Sequence, residues 1–164
     1  MMVSTIRFST ASLFALFLMT SGSSVARAND TSSSLEGSWI VTIKGGPGTP
    51  LLPDWYQALV TFDRSGGLVA TITDPLLNTG HGAWARKEKQ KFAITILLFQ
   101  FSSQGQFLGT LKARATLEPN PREATFNSDD YQFEFFDADG NPTGFVGVGT
   151  AHGRRIKVEP LAGN

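Results

Sequence analysis

Apolar and polar residues alternate with a period of two between residues 92 and 118, in the middle of the chain. This alternation is typical of strands that have one buried face and one solvent-facing side. Two such strands meet at a turn over residues 103–106, where a two-residue loop at Gln104-Gly105 would set their register. In that register Phe107 falls on the inner face. Four inner pairs are then expected: Phe92 with Leu117, Ile94 with Ala115, Ile96 with Ala113, and Leu98 with Leu111.

Similar alternating segments recur on both sides of this central hairpin, beginning near Trp39, Ala58, Leu68, His81 and Tyr131. Clusters of glycine and proline separate them, and no helical periodicity intervenes. Long sequential strands of this kind favour closure into a barrel over a small open sheet. We therefore predict an all-β fold, a single closed antiparallel up-and-down β-barrel of about eight strands, over residues 37–164.

The last segments are rich in glycine, at Gly144, Gly147, Gly149 and Gly153. Glycine inside a strand indicates a bend or a close approach by another group. It also leaves room for an aromatic side chain of a partner strand to lie over the bare backbone.

The beginning of the chain has the pattern of a secretory signal. Arg7 supplies a positive start, residues 11–19 an apolar run, and Ala26-Arg27-Ala28 a small-x-small cleavage pattern. We predict a cleavable signal peptide over residues 1–28, a flexible polar tail over residues 29–36, and a secreted or periplasmic protein. Since the apolar run is too short for a comfortable membrane span, no stable membrane insertion is expected after cleavage.

Charge and composition narrow the choice of partners. Without the signal, 12 Lys and Arg face 14 Asp and Glu, so no basic field is present and no nucleic-acid partner is expected. The sequence has no cysteine, which excludes disulfides and thiolate chemistry. No metal is expected, because His81 and His152 are the only histidines and lie far apart in the sequence. No cofactor is expected either.

The tripeptide Gly37-Ser38-Trp39 and an arginine in the terminal strand, Arg154 or Arg155, resemble the calycin and lipocalin superfamily. In those barrels such an arginine packs across the indole and closes one end, so the resemblance implies a structural role for both residues. The architecture also resembles the allene oxide cyclase and dirigent-like barrels, which perform cofactor-free cyclisations. A shared fold does not by itself confer chemistry.

Candidate site residues are those that the alternation places on inner faces. Gln100 is the most informative, because it lies opposite Gly109 and an amide inside an apolar cavity must be hydrogen-bonded or hydrated. It would either orient a ligand or lie in the wet rim near the turn. The predicted ligand-binding set consists of Trp84, Phe92, Ile96, Leu98, Gln100, Tyr131 and Phe133.

Three functions fit such a barrel. The first is a binding protein that holds a small apolar molecule in its interior. The second is a cofactor-independent cyclase or isomerase that acts on a hydrophobic small molecule in the cavity. The third is a structural protein with a filled core. An aliphatic and aromatic inner wall without a catalytic constellation favours the first.

Four apolar residues of the central hairpin are predicted to point outward together: Leu97, Phe99, Phe101 and Leu108. A cluster of this kind indicates an interaction surface, and identical subunits are the expected partner, which predicts a homo-oligomer. Alternatively, Trp55 and Tyr56 fold over the cluster from the Gly- and Pro-rich segment 45–54. That segment is expected either to form a lid over one barrel mouth or to plug it as a packed connection.

Overall fold

The computed structural model describes residues 35–47, 49 and 55–161. They form eight strands that follow one another around a closed barrel. Each strand pairs antiparallel with the next, and the last pairs with the first, so the predicted all-β up-and-down barrel is confirmed. The strands are β1 (Gly37–Gly45), β2 (Trp55–Phe62), β3 (Gly67–Ile72), β4 (Gly80–Glu88), β5 (Lys91–Phe101), β6 (Phe107–Asn120), β7 (Thr125–Asp137) and β8 (Pro142–Arg155).

The predicted leader over residues 1–28 lies outside the described residues, as do residues 29–34 of the predicted tail. Leu35, near the end of that tail, is fully buried. Its carbonyl accepts a hydrogen bond of 2.8 Å from the indole Nε1 of Trp39. The packed part of the chain therefore begins before β1.

The register of the central hairpin is as predicted over most of its length. Phe92 lies opposite Leu117, Ile96 opposite Ala113, and Gln100 opposite Gly109. Large side chains thus face small or medium ones along the inner wall, which is how a curved wall fills its concave side.

The turn of this hairpin differs from the prediction. The Ser102 N–H donates to the Gln106 carbonyl at 2.8 Å, and the Gly105 N–H donates to the Ser102 carbonyl at 2.9 Å. The loop therefore has three residues rather than two, with Gly105 at the positive φ of 79° that this turn requires. The pairing shifts by one residue after Gln100, so that Phe101 lies opposite Phe107.

The extra residue in β6 turns Phe107 to the other face of the sheet, because side chains alternate along a strand. Alternation predicted Phe107 inside the barrel, and that prediction is wrong. Its side chain is 44% exposed and its ring contacts the rings of Phe99 and Phe101, at centroid distances of 5.6 and 5.9 Å. Next to the shift, Gly109 has a φ of 143°, which favours glycine. A Cβ atom there would also lie 2.0 Å from the carbonyl oxygen of Phe136 on β7.

Strand β2 begins earlier than the sequence indicates. Trp55 and Tyr56 follow directly on the Gly- and Pro-rich segment in the sequence, but both belong to β2. Tyr56 points into the barrel and is buried, whereas Trp55 is 57% exposed. Tyr56 therefore does not cover the outward apolar cluster. Residues 50–54, the main part of the predicted lid or plug, lie outside the described residues.

One end of the barrel, called the floor here, is closed around Trp39. The indole is buried, contacts the ring of Phe126 at a centroid distance of 5.0 Å, and carries the guanidinium of Arg155 over its face at 4.4 Å. Arg155 also donates a hydrogen bond to the carbonyl of Glu36. Of the two arginines that the sequence offered for this role, the structure selects Arg155.

Strands β6 and β7 separate for a short distance near the floor. The ladder is interrupted between Arg114 and Glu118, and the carboxylate of Asp130 accepts bonds there from the Thr116 N–H at 2.7 Å and the Ser128 hydroxyl at 3.0 Å. Burial alone would raise the pKa of Asp130, but these hydrogen bonds outweigh it and lower the pKa. The side chain replaces backbone bonds that the strands lose.

Candidate functional site

An apolar cavity lies inside the barrel, against the inner faces of β1, β2 and β3 and the facing parts of β5 to β8. It extends from the aromatic rings near the floor to Ile43 and Tyr131 towards the other end. Fifteen residues line it: Val41, Ile43, Ala58, Val60, Phe62, Leu68, Ala70, Ile72, Ile94, Ile96, Leu98, Leu117, Phe126, Tyr131 and Ala151.

The size of the cavity limits what it can hold. The cavity has a volume of about 50 Å³. An apolar protein cavity of about 150 Å³ holds benzene, so this cavity is about a third of that size. It has room for a small apolar group, and a ring-sized ligand would fit only if lining side chains moved apart.

Tyr131 is the one polar side chain among the described residues that line the cavity. Tyr56 points into the barrel from β2, opposite Ile43, and lies close enough to Tyr131 to act on its pKa. Both side chains are buried.

The electrostatics of this pair follow from its burial. Desolvation raises the pKa of Tyr131 well above its ordinary value, and the neighbouring Tyr56 raises it further. Desolvation also raises the pKa of Tyr56, with Asp74 contributing, although Tyr131 acts in the opposite direction. Both hydroxyls are therefore neutral at physiological pH and able to donate or accept a hydrogen bond.

Three of the seven predicted site residues line the cavity: Ile96, Leu98 and Tyr131. Phe92 is buried against Trp84, at a ring centroid distance of 5.5 Å. The guanidinium of Arg86 lies over the ring of Phe92, 4.6 Å from its centroid. Trp84 points inward as expected, but it is half-buried and its Nε1 donates to the carbonyl of Asp63 at 2.9 Å. These two aromatic residues close the wall beside the cavity.

The remaining two predicted residues lie towards the other end of the barrel. Phe133 is buried in an aromatic cluster with Phe135 and Phe145, at centroid distances of 5.8 and 6.2 Å. Gln100 is half-buried at the rim, where its backbone pairs with Leu77 as well as with Gly109. A ligand-binding role for all seven residues stays a prediction.

The predicted site set left out Tyr56 and the cavity wall formed by β1 to β3. The signal was present, because Tyr56, Ala58, Val60 and Phe62 alternate with polar or outward residues. The proline- and glycine-rich stretch immediately before them led to the interpretation of Tyr56 as part of a loop.

Two further properties of the described residues bear on the site. No group of three or more His, Asp or Glu side chains comes together there in a way that could hold a metal ion. Within the same part of the chain, no helix has the length and apolar character needed to cross a membrane.

The fold and cavity define the class of the protein as an up-and-down β-barrel with an apolar interior. Among solved structures, the chain is similar to EF1p2_mFAP2b, described as bound to DFHBI, with a TM-score of 0.51 and 21% sequence identity. The likeness covers 77% of this chain and 99% of that one, and at this identity it shows the fold alone. The sequence matches no protein-family model and no curated protein.

Proposed function

We propose that this protein is an exported β-barrel that binds a small apolar molecule in its interior. The observation that carries the proposal is the cavity itself, in which one of fifteen lining residues is polar. Protein cores are normally close-packed, with few voids larger than a water molecule. A cavity without contents leaves its lining without contact partners on one side, and an apolar ligand would restore those contacts.

The similar solved barrel supports the same function at the level of architecture. EF1p2_mFAP2b is described as bound to DFHBI, so a barrel of this kind can be a container for a small molecule. A shared fold does not carry over the ligand, so the ligand of this chain has to be argued from its own residues.

The enzyme alternative would need more than a container. A cyclase or isomerase of this kind would use a paired acid and base beside the substrate. Among the described lining residues Tyr131 alone carries an ionisable group, and burial keeps it neutral. The binding protein is therefore the better-supported of the two functions. Export is proposed from the sequence pattern of residues 1–28.

We also propose that the protein self-associates through an outer patch formed by Leu97, Phe99, Phe101, Phe107 and Leu108. The ring of Phe107 contacts the rings of Phe99 and Phe101, and Phe99 is 55% exposed. On the same outer wall, Lys112 and Arg114 are paired with Glu134 at 3.4 and 3.9 Å. Glu134 offsets one of these two positive charges, so the wall would attract an anionic membrane only weakly, and a second copy of the chain is the partner that the patch fits.

A cavity-filling variant tests the binding function. Ala70 is buried and lines the cavity, so Ala70→Leu would fill part of the space that the ligand needs. Ala83→Leu is the matched control, because Ala83 lies on the neighbouring strand with its side chain exposed. Xenon is a small apolar probe that enters dry protein cavities. Its binding, followed by NMR shifts of the inner methyl groups, should weaken by roughly tenfold or more in Ala70→Leu, since overpacking opposes insertion.

Native mass spectrometry of the protein purified from its own producing organism complements this titration, because a retained ligand would appear as added mass. Equal binding by Ala70→Leu and the parent would place the probe outside the barrel. A parent protein that retains no ligand and binds no apolar probe would overturn the function.

A further inference from the structure

The barrel wall has a gap beside the cavity, called the β6–β7 gap here. The ladder between β6 and β7 is interrupted where residues 115–117 face residues 128–131, so that β7 has one residue more than β6. The pairing of β7 with β8 shifts at the same place, between Ser128 and Tyr131. The β1–β2, β2–β3 and β1–β8 ladders also border the cavity, and over the residues that the structure describes they run without such a shift.

The side chain of Asp130 closes this gap. Its Oδ1 atom accepts hydrogen bonds from the Thr116 N–H of β6 at 2.7 Å and from the Ser128 hydroxyl of β7 at 3.0 Å. Ser128 is buried whereas Asp130 is exposed, so the carboxylate reaches from the surface into the wall. A wall segment that is held by bonds to one exposed side chain opens more readily than one held by a continuous backbone ladder.

The gap lies between the interior cavity and a depression on the outer surface. On the inner side, Leu117 of β6 and Tyr131 of β7 line the cavity. On the outer side, the depression has a volume of about 240 Å³ and is lined in part by Thr116, Ser128 and Asp130. At the gap, the Asp130 carboxylate and its two donors therefore separate the two spaces.

The ends of the barrel offer a harder route to the cavity. At the floor, the indole of Trp39 is buried against the ring of Phe126. Towards the other end, the rings of Phe133, Phe135 and Phe145 pack against one another. Passage at either end would displace several packed rings, and close-packed interiors resist such displacement. Passage through the gap requires one exposed side chain to release two hydrogen bonds.

We propose that the β6–β7 gap is the entrance through which small apolar molecules reach the cavity, and that Asp130 holds it closed. When the carboxylate turns outward, a small molecule passes between Leu117 and Tyr131. Asp130 is outside the set of described residues that line the cavity, so its effect is on the rate of exchange and not on affinity. This inference rests on the proposed function and adds the route by which the ligand enters and leaves.

Xenon exchange tests the entrance, because xenon is a small apolar probe of dry protein cavities. The rate at which bound and free xenon exchange is measured by xenon NMR on the purified protein. Asp130→Ala removes the acceptor and should raise this rate roughly tenfold or more, the effect of losing hydrogen bonds to a charged group. The dissociation constant of xenon should change by less than roughly twofold, because entry and exit are accelerated equally.

Three further variants assign the effect to the two hydrogen bonds. Asp130→Asn keeps an acceptor oxygen and should exchange xenon at nearly the rate of the parent. Ser128→Ala removes one of the two bonds and should raise the rate by a smaller factor, so it serves where Asp130→Ala fails to fold. Asp129→Ala removes the same charge from an exposed neighbour on the outer depression and should leave the rate unchanged.

A destabilised variant away from the gap distinguishes the entrance from general loosening of the barrel. Leu77 is buried at the other end of the barrel, where its backbone pairs with Gln100, so Leu77→Ala should lower stability without changing the exchange rate. If Leu77→Ala accelerates exchange as much as Asp130→Ala, the entrance is overturned. Unchanged exchange in both Asp130→Ala and Ser128→Ala would overturn it too and leave the binding function standing. A parent protein that binds no xenon would overturn both proposals.

Discussion

The ring of Phe133 on β7 lies over the backbone of Gly147 on β8, its direct partner in the ladder. A Cβ atom at position 147 would come within 1.9 Å of the ring atom Cζ. The same relationship recurs near the floor, where Phe126 lies over Gly153. The glycines of β8 therefore provide the space that two buried aromatic rings occupy, as the sequence predicted for glycines in this part of the chain.

Replacing Gly147 with alanine should destabilise the barrel by about 1–3 kcal/mol, because the added methyl group overpacks a buried ring. The φ angle of Gly147 is outside the left-handed region, so the cost comes from the contact and not from the backbone. Urea denaturation followed by tryptophan fluorescence measures it. A double-mutant cycle with Phe133→Leu tests the cause. Because the smaller side chain relieves the overpacking, the variant that carries both changes should be more stable than the sum of the two single effects predicts. Simple additivity would show that the ring does not limit position 147.

Trp39→Ala should cost about 3–5 kcal/mol, because it removes a buried indole and leaves a cavity beneath Phe126 and Arg155. Trp55→Ala is the control. Trp55 is exposed on the outside of the same barrel, and its loss should change the free energy of unfolding by about 0.5 kcal/mol or less. If Trp39→Ala and the parent have the same chemical-denaturation midpoint, Trp39 does not stabilise the floor.

The tyrosine pair predicts a loss of stability at alkaline pH. The folded pKa of each tyrosine lies above its unfolded value of about 10. The folded state therefore holds more protons than the unfolded state above that pH, and stability falls as the pH rises from there towards the folded pKa values. Below the unfolded value this contribution is fully present.

Tyrosinate absorbance measures the effect directly, because Tyr56 and Tyr131 are the only tyrosines of the chain. The absorbance should rise later than for free tyrosine and together with the loss of β-sheet circular dichroism. The double variant with phenylalanine at both positions should keep its stability to higher pH. Ionisation at the ordinary tyrosine pKa in a protein that is still folded would contradict the burial of the pair.

Much of this fold could be predicted from the sequence because the central hairpin alternates so regularly. Phe92 and Leu117 define the inner face at the floor, and Gln100 and Gly109 continue it almost to the turn. The turn itself could not be fixed in the same way. A glycine at position 105 suits a two-residue and a three-residue loop alike, and the choice decides on which face Phe107 lies.

The candidate site was harder to predict than the fold. Alternation identifies which side chains point inward, and it placed Ile96, Leu98 and Tyr131 correctly among them. It does not tell which inward side chains meet across the barrel. Phe133 fills its space because Gly147 admits the ring, whereas the wall around Ala58 and Ala70 leaves a cavity. The proximity of Tyr56 to Tyr131 likewise depends on closure of the barrel, which links β2 to β7 through β1 and β8.

The outer patch gives the final prediction. If two copies associate through it, replacing Phe99 and Phe107 with serine should lower the mass measured by light scattering, by about half for a dimer. These two positions are chosen because both are exposed and their rings contact each other. The change should leave the β-sheet signal intact, since neither side chain belongs to the inner core.

Leu59→Ser with Val146→Ser is the matched control, because these residues are as exposed as Phe99 but lie on β2 and β8, away from the patch. The control should keep the mass of the parent. If the control lowers the mass as much as the Phe99 and Phe107 variant does, association depends on exposed apolar area in general and not on this patch. A parent protein that is monomeric at high concentration would contradict self-association altogether, and the exposed rings would then need a different partner.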